Sequence, residues 1–339
     1  MKDVTVMESA ASILCEGEEK NEICLKDLDI APIEAAALFV FLSHITNLHK
    51  LTMSNCGIEH LATRELINRL ITNPISKCEL SELDIRGNRL EYEGIKSFSE
   101  ALQNANCKLT MLNISNNKLT QRGAEHLIDA LIVENCKLTK LNISENELND
   151  ESAKHLSDAL KSHKCNLTYL SIARNKLTEK GAKYLSDALN SGNCKLTKLN
   201  LAGNEITHRG AQCLSDALIR GNGKLTNLNI SDNKVNDDGA KHLSYALKSD
   251  KCKLTKLNVS GNELTDESAR HFSQAFKTSN CKLAKFNISV NQLTDDGAKC
   301  LTAALAENDH GTVLNMKRNH LTDEGSGYVG VANKRCNIS

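Results

Sequence analysis

The sequence predicts an α/β solenoid with a concave parallel β-sheet and helices on its convex side. Two observations predict this fold. An asparagine recurs every 29 residues, and a strand-like and a helix-like pattern alternate between successive asparagines. The recurring residues are Asn88, Asn117, Asn146, Asn175, Asn204, Asn233, Asn262 and Asn291. So many tandem copies at one spacing leave almost no room for chance.

The first half of each repeat has the pattern L-x-x-L-x-L-x-x-N-x-L, illustrated by Leu109, Leu112, Ile114, Asn117 and Leu119. The alternation of apolar and polar residues predicts a short strand whose apolar side chains point inward. The asparagine follows the strand, and its amide can both donate and accept hydrogen bonds. We therefore predict that the asparagines are structural and bond the backbone where the chain bends.

The second half of each repeat predicts a helix. A residue suited to N-capping precedes it, at Thr120, Asn149, Thr178, Thr207, Asn236, Thr265 and Thr294. A small residue recurs within it, at Ala101, Ala130, Ala159, Ala188, Ala217, Ala246, Ala275 and Ala304. Strands stack about 4.8 Å apart, whereas packed helices need about 8–10 Å. We therefore expect the repeats to curve into a horseshoe.

The ends of the chain depart from the repeat, as the ends of solenoids do. We predict an N-terminal cap with degenerate repeats over residues 1–79 and tandem 29-residue repeats over residues 80–321. A C-terminal cap remnant and a flexible tail are predicted over residues 322–339. The last helix is predicted to be lost, because the glycine-rich stretch 325–330 is a poor helix former.

Charge and composition limit the function. The 42 basic and 42 acidic side chains balance. No basic stripe is visible along the sequence, so nucleic acid is not predicted as a partner. Aromatic residues make up only 3% of the chain, which predicts a core of stacked Leu, Ile, Ala and Cys side chains rather than large rings.

Several features predict a reducing compartment. The first residues show no signal-peptide pattern, and no apolar run approaches the roughly 18 residues of a membrane span. The chain has 13 cysteines, and its glycosylation sequons lie mostly inside predicted strands, at Asn113, Asn142, Asn166, Asn229, Asn258, Asn287 and Asn337. We therefore predict a cytoplasmic monomer with free thiols and no glycans.

The block CKLTKLN at residues 194–200, followed by helices such as LTDDGAKCL at 293–301, resembles leucine-rich repeats of the ribonuclease-inhibitor-like subfamily. It is similar to the repeat regions of NOD-like receptors, of Ran GTPase-activating proteins and of effectors that intracellular bacteria deliver into host cells. The resemblance covers about residues 78–321. It implies the fold more strongly than one function, since this fold carries many binding activities. No GxxxxGK[ST] loop is present, so the nucleotide-binding part of a NOD-like receptor is missing.

Two recurring residue types suggest chemistry but are interpreted as packing. Cysteine recurs at Cys78, Cys107, Cys136, Cys165, Cys194, Cys252 and Cys281, and histidine recurs at His126, His155, His242 and His271. Zinc needs ligands that converge on one point, whereas residues one repeat apart form a line. Other repeats replace the histidine by Tyr184, Cys213 or Cys300, which predicts a half-buried position.

We predict no enzymatic activity. The sequence shows no nucleophile with a base, no paired carboxylates in a defined pocket, no phosphate loop and no metal-ligand cluster. Accordingly no catalytic residue, no cofactor and no metal are predicted.

A protein partner is predicted to bind the concave face of the sheet. Tyr169 and Arg174 interrupt the repetition there, and both residue types are frequent in binding hot spots. A track of lysines suits an acidic partner surface. The predicted contact residues are Met111, Asn113, Lys140, Asn142, Tyr169, Ser171, Arg174, Lys198, Asn200, Asn227, Asn229, Asp232, Lys256, Asn258, Lys285 and Asn287.

The residues Cys336, Asn337, Ile338 and Ser339 form a C-a-a-X box, which predicts prenylation of Cys336 and reversible membrane attachment. The leading hypothesis is therefore a non-enzymatic interaction scaffold in a eukaryotic or host cytosol, in the manner of a bacterial effector. The alternative is a regulator of a small GTPase, of the GTPase-activating type. A single-turnover GTP hydrolysis assay across a panel of small GTPases separates the two.

Overall fold

The computed structural model describes residues 21–220, 222–307 and 311–336, with side chains described up to residue 330. Short strands and helices alternate along these residues, so the predicted α/β solenoid is confirmed. The strands β1 to β11 are Glu22–Lys26, Lys50–Ser54, Glu82–Asp84, Met111–Asn113, Lys140–Asn142, Tyr169–Ser171, Lys198–Asn200, Asn227–Asn229, Lys256–Asn258, Lys285–Asn287 and Val313–Asn315.

A helix follows each strand. The helices α1 to α11 are Pro32–Leu42, His60–Leu66, Glu91–Leu102, Gln121–Ala130, Asp150–Lys161, Glu179–Leu189, His208–Ile219, Asp237–Leu247, Asp266–Phe276, Asp295–Glu307 and Asp323–Cys336. A π-helical turn, Ile67–Ile71, continues α2.

The chain forms two compact units. The first comprises residues up to Leu148 together with Ser162–Ser171, and the second comprises Asn149–Lys161 and the residues from Ile172 onward. In the first unit β1 to β6 pair in parallel, each with the next strand in sequence. In the second unit β7 to β11 do the same. In the second unit each helix also packs against the next.

The recurring asparagines bond the backbone of two repeats at once, as predicted. The Nδ2 atom of Asn262 donates to the carbonyls of Val259, Ser260 and, in the preceding repeat, Ile230, at 3.0–3.2 Å. Its Oδ1 accepts from the backbone N–H of Val235, also in the preceding repeat, at 3.0 Å. Asn117 and Asn146 make the equivalent contacts in the first unit. The side chain of Asn262 thereby supplies the acceptor for the buried N–H of Val235 and a second donor for each of the three carbonyls.

The core consists mainly of Leu, Ile, Ala and Cys side chains, as predicted, and five phenylalanine rings are buried among them in the described residues. Phe39 and Phe98 are fully buried in the first unit, and Phe272, Phe276 and Phe286 form a cluster in the second. Phe286 stands where other repeats have leucine, and its ring centroid lies 4.8 Å from that of Phe272. A low aromatic content thus did not predict where the rings are placed, because a few rings suffice to fill one pair of repeats.

Aspartates at the starts of helices in the second unit cap the helix of the following repeat. Asp150 accepts from the N–H and Oγ1–H of Thr178 and from the N–H of Gly181, at 2.6–2.9 Å. The same contact to a threonine is made by Asp237, Asp266 and Asp295. A carboxylate at a helix N-terminus satisfies free N–H groups and interacts favourably with the helix dipole. We call each such contact a carboxylate bridge.

The hydrogen bonds of the bridge lower the pKa of the carboxyl group by more than its burial raises it. Burial alone would raise the pKa of Asp237, but hydrogen bonds from Ser268 and Thr265 bring this pKa below its ordinary value. The ionised form is therefore the one that the fold stabilises. The contribution of the bridge is present above the ordinary pKa of aspartate and is lost as the pH falls through the lowered value.

One junction of the second unit offers a test of the bridge. Glu179 occupies the bridging position before Thr207, and Thr207 makes no side-chain capping bond. The backbone at this junction is placed as it is where a bridge forms. A Cβ on Gly210 would lie 3.4 Å from the Cα of Glu179, and a Cβ on Gly325 would lie 3.3 Å from the Cα of the bridging Asp295. We expect Glu179→Asp to form the missing bridge and to raise the free energy of unfolding by about 1 kcal/mol, measured by urea unfolding.

The matched control is Glu179→Ala, which removes the longer side chain without supplying a carboxylate. This variant should not gain stability. An equal gain from alanine would show that helix propensity, and not the bridge, accounts for the effect.

The prediction that the last helix is lost was wrong. The helix α11 runs from Asp323 to Cys336 and packs against α10 and β11. A Cβ on Gly325 would lie 2.0 Å from Oδ1 of Asp295, so this glycine makes room for the bridging carboxylate. Packing and capping therefore outweigh the weak helix propensity of glycine here. Residues 337–339 of the predicted tail lie outside the described residues.

Candidate functional site

The side chains of the first and third residues of each strand face away from the core. Together with the residue immediately before each recurring asparagine, we call them the strand face. The residue before the asparagine has a positive φ in repeat after repeat, for example 55° at Glu145 and 50° at Arg174. All the contact residues predicted from the sequence lie on the strand face of one unit or the other.

In the first unit the lysines of the strand face are paired with carboxylates. The first strand position holds Met111, Lys140 and Tyr169, of which Tyr169 is half-buried beside Lys140. The Nζ atom of Lys140 lies 3.7 Å from a carboxylate oxygen of Glu82. Lys108, three residues before β4, donates to Glu79 at 2.9 Å. Positive charge on this part of the first unit is therefore largely balanced.

Two predicted contact residues of the first unit are less accessible than the sequence suggested. Asn113 is 7% exposed and Ser171 is 2% exposed, whereas Asn142 is half-buried. The Oδ1 atom of Asn113 accepts from the N–H of Ser115 at 3.1 Å, and the hydroxyl of Ser171 bonds that of Ser144 at 2.7 Å. Small polar side chains at the third position lie against the backbone at the end of the strand, which removes them from solvent.

In the second unit the lysines of the strand face have no carboxylate partner. Lys198, Lys256 and Lys285 are exposed, and among the described residues none of their ammonium groups has a carboxylate oxygen within 4.0 Å. Lys256 and Lys285 are direct neighbours in the pairing of β9 with β10. Asn227 takes the first position in β8. The same strand position thus carries balanced charge in one unit and unbalanced charge in the other.

The asparagines at the third strand position present mainly donors. Their side-chain oxygens accept from the backbone N–H two residues later, at 3.1–3.2 Å, in Asn200, Asn229, Asn258 and Asn287. Because a backbone N–H requires an acceptor, this contact fixes the orientation of each amide. The Nδ2 groups of Asn229, Asn258 and Asn287 have no partner among the described residues. The second unit therefore offers a face rich in hydrogen-bond donors.

Arg174 and Asp232 share the position with positive φ that ends the strand face in the second unit. Both are exposed, with φ values of 50° and 52°. Each lies against a glycine of the next repeat. A Cβ on Gly203 would lie 2.7 Å from Cγ of Arg174, and a Cβ on Gly261 would lie 2.1 Å from Oδ1 of Asp232. These glycines therefore provide the space in which the two charged side chains lie.

The second unit carries a basic edge that was not predicted from the sequence. The connections that lead from each helix through the next strand span residues 190–200, 219–229, 248–258 and 277–287. They contain eleven Lys and Arg residues but one carboxylate, Asp250. The segments after the strands contain most of the acidic residues, including Glu205, Asp232 and Glu263. Within each repeat a basic segment precedes the strand and acidic residues follow it, so the net charge along the sequence is close to zero. Stacking of the repeats places the basic segments side by side and so concentrates their positive charge along one edge.

The recurring cysteines are packing residues, as predicted. All seven are buried, and burial raises the pKa of Cys78, Cys136 and Cys281 to about 11. Thiols with so high a pKa are poor nucleophiles and metal ligands at neutral pH. Of the four recurring histidines, His126, His242 and His271 are half-buried as expected, but His155 is exposed. Among the described residues no three His, Cys, Asp or Glu side chains meet in a way that could hold a metal ion.

The described parts of the chain contain cavities, and the linings of two of them bear on the question of catalysis. One, of about 180 Å³, is in the first unit and is lined by residues that include Leu70, Pro74 and Cys78. The other, of about 370 Å³, lies between β11 and α11 and is lined by apolar residues that include Leu314 and Met316. No histidine, aspartate or glutamate lines either cavity.

The predicted lipidation site falls at the margin of what is described. Cys336 is the last residue of α11, its side chain is not described, and residues 337–339 lie outside the described residues. Prenylation of Cys336 therefore stays a prediction. None of the described helices has the length and apolar character needed to cross a membrane.

Comparison with solved structures finds similar but distant folds. An internalin from Listeria monocytogenes, InlF, is 18% identical with a TM-score of 0.45, over 85% of this chain and 67% of the internalin. A second Listeria monocytogenes internalin, of type C2, is 17% identical with a TM-score of 0.38, over 69% of this chain and 76% of that one. A plant ice-binding protein is 17% identical with a TM-score of 0.37, over 72% and 65%. At these values the likenesses carry no argument about function.

Comparison with curated protein sequences finds no match. The profile of the family described as Leucine Rich repeat, however, matches the chain in eight tandem segments. They are residues 77–99, 105–127, 134–157, 163–186, 192–215, 221–244, 250–273 and 279–301. Together they cover more than half of the sequence and coincide with the strand and helix of successive repeats. The chain belongs to the leucine-rich-repeat family.

Proposed function

We propose that this protein is a non-enzymatic scaffold that binds another protein through its strand face. One observation supports the proposal above all. The recurring Leu, Ala, Cys and Asn residues are occupied by packing and backbone bonding, whereas the strand face carries exposed side chains, which differ from repeat to repeat at the position before each recurring asparagine. Variable polar residues on a regular framework are the usual way in which a repeat protein recognises a partner.

Tyr169 and Arg174 are proposed as contact residues, each for a separate reason. Tyr169 offers a half-buried ring in the first unit, and Arg174 offers an exposed guanidinium in the second. Both side chains combine large contact area with directional hydrogen bonding, which favours them in hot spots. Tyr169→Ala and Arg174→Ala, made singly, should each weaken binding without lowering the unfolding midpoint by more than a small amount.

Site-directed photocrosslinking tests the use of the strand face. A photoreactive amino acid replaces Asn227 on the strand face or, in the matched control, Lys241 on α8 of the same unit. Both positions are accessible in the second unit, and Lys241 is exposed on the helical side. We expect crosslinks to a specific protein partner from position 227 only. Crosslinks from position 241 alone would move the interface to the helices and refute the proposal.

We further propose that the protein acts in a eukaryotic or host cytosol, as an effector does. The buried free cysteines support a reducing compartment, since among the described residues none forms a disulfide. This part of the proposal fails if the protein purified from its source carries disulfides or N-glycans.

We propose in addition that prenylation of Cys336 attaches the scaffold to a membrane. Intact-mass spectrometry of the protein made in a eukaryotic cell should show the mass increase of one prenyl group, which disappears in Cys336→Ser. An unmodified mass in the unaltered protein would contradict the prediction. One prenyl chain confers weak and reversible attachment, so a fractionation experiment should find both soluble and membrane-bound protein.

A further inference from the structure

We infer that the basic edge of the second unit is the docking surface for an acidic polypeptide segment. This inference rests on the proposed function and names the chemistry of the partner. The surface consists of six exposed lysines at and just before the strands β7 to β10: Lys198, Lys224, Lys253, Lys256, Lys282 and Lys285. We call them the lysine edge.

The lysine edge is not neutralised within the protein. Among the described residues none of its six ammonium groups has a carboxylate oxygen within 4.0 Å, and Lys253 bonds only the carbonyl of Gly223, at 3.1 Å. The contrast with the first unit is direct, since Lys108 and Lys140 there face Glu79 and Glu82. Unpaired like charges on neighbouring strands, about 4.8 Å apart, repel one another. A partner that supplies carboxylates relieves this repulsion.

The hydrogen-bonding groups beside the lysine edge select the same kind of partner. Ammonium groups only donate, and the Nδ2 groups of Asn229, Asn258 and Asn287 also donate, because their oxygens are occupied by the backbone. Such a surface suits a ligand rich in acceptors. Aspartate and glutamate side chains supply carboxylate oxygens, and an extended backbone supplies carbonyls for the asparagine amides.

The opposite edge of the same sheet argues for a narrow polypeptide over a broad polyanion. Glu205, Asp232 and Glu263 follow the strands β7, β8 and β9, where Glu205 pairs with Lys234 at 3.0 Å, and each strand is only three residues long. Three residues of strand measure about 10 Å. A nucleic acid duplex or a flat anionic membrane would therefore face the carboxylates of Asp232 and Glu263 as well as the lysines. A single extended segment can run along the lysines and avoid it.

In the second unit the strands β7 to β10 also lack the groups that favour the other polyanions, and the exposed Val290 and Val313 lie beyond β10. Within its described residues no aromatic ring is exposed on the strands, since Phe286 is 1% exposed. Binding of single-stranded nucleic acid usually relies on such rings for base stacking. Membrane binding at a surface usually combines basic residues with exposed apolar ones, and β7 to β10 present lysine and asparagine.

The length of the partner segment follows from the number of strands. From β7 to β10 the lysine edge crosses three strand spacings, or about 14 Å. An extended chain rises about 3.3 Å per residue, so about five residues span the edge. The inferred ligand is thus a short stretch of consecutive or alternating acidic residues in an extended conformation.

A charge-reversal experiment tests the inference with a matched control. The test variant is Lys256→Glu with Lys285→Glu, and the control is Lys183→Glu with Lys241→Glu, on the helices α6 and α8 of the same unit. The control lysines are exposed and have no ion-pair partner among the described residues. Both variants change the net charge equally. Circular dichroism melting establishes that each variant remains folded.

Fluorescence anisotropy measures the binding of a labelled peptide of about ten alternating Asp and Glu residues, which is longer than the about five residues required. We expect the test variant to lose roughly tenfold or more in affinity and the control to lose less than roughly threefold. Equal losses in both variants would show non-specific attraction and overturn the inference. So would an unaltered protein that does not bind the peptide.

Two further probes separate the other polyanions. An oligothymidylate of matched charge and vesicles containing phosphatidylserine are titrated under the same conditions. Tighter binding of either than of the peptide, with loss in the test variant, would reassign the lysine edge to nucleic acid or to membrane and overturn the inference. If the photocrosslinking at position 227 still identifies a protein partner, the proposed scaffold function survives that outcome.

Discussion

Replacing Asn262 by alanine should lower the free energy of unfolding by roughly 3 kcal/mol or more. The substitution leaves the N–H of Val235 without its partner in a buried bend, and it removes one of the two donors that bond each of the carbonyls of Ile230, Val259 and Ser260. Each buried polar group that loses its hydrogen bond costs about 1–3 kcal/mol, and water cannot reach this site freely because Asn262 is 8% exposed. Urea unfolding followed by circular dichroism measures the loss.

Asn258→Ala is the control for this experiment, because it makes the same chemical change four residues earlier. Asn258 is half-buried on the strand face, and its side chain makes one described bond, to the N–H of Ser260. Its removal should cost less than about 1 kcal/mol, since water can replace the bond. Similar losses in the two variants would contradict the structural role assigned to the recurring asparagines.

Phe286→Ala should lower the free energy of unfolding by about 3–5 kcal/mol, a loss similar to that expected for Asn262→Ala but with a different cause. The ring is 1% exposed and lies between Phe272 and Phe276, with centroid distances of 4.8 and 5.4 Å. Truncation removes the ring from a close-packed core and leaves a cavity that two neighbouring rings line. The urea unfolding midpoint should fall accordingly.

Phe286→Leu separates the loss of volume from the loss of a ring. Leucine occupies this position in the adjoining strands, for example as Leu257 and Leu314. We expect the leucine variant to lose about 1 kcal/mol, because the surrounding phenylalanines are arranged for a larger side chain. If alanine costs no more than leucine, the three rings do not form a cooperative cluster.

Much of this fold could be predicted from residues that repeat. The period of the asparagines predicted the spacing of the strands β3 to β10, and the apolar alternation around Leu112 and Leu257 identified the inward side chains correctly. These features are local to one repeat, and each is supported by many copies. Because the same strand and helix patterns recur in many copies, weak local preferences together predicted the fold.

The features that sequence reasoning missed depend on contacts between repeats. Gly325 suggested a broken helix, but it accommodates the carboxylate of Asp295 from the preceding repeat. Asn113 and Ser171 were predicted to be exposed, but each lies against groups at the end of its own or a neighbouring strand. The basic edge is likewise invisible in any single repeat, because each contributes only a few lysines. Such properties arise when identical units are stacked.

The carboxylate bridges bear on how the second unit unfolds. They connect α5 with α6, α8 with α9, α9 with α10 and α10 with α11. The helix α7, His208–Ile219, has no such described connection to either neighbour, because Glu179 and His208 take the place of aspartate. In a solenoid, cooperativity passes from each repeat to the next through their interface. Native-state hydrogen exchange should therefore find α7 to be the point at which this unit first divides into independently opening segments.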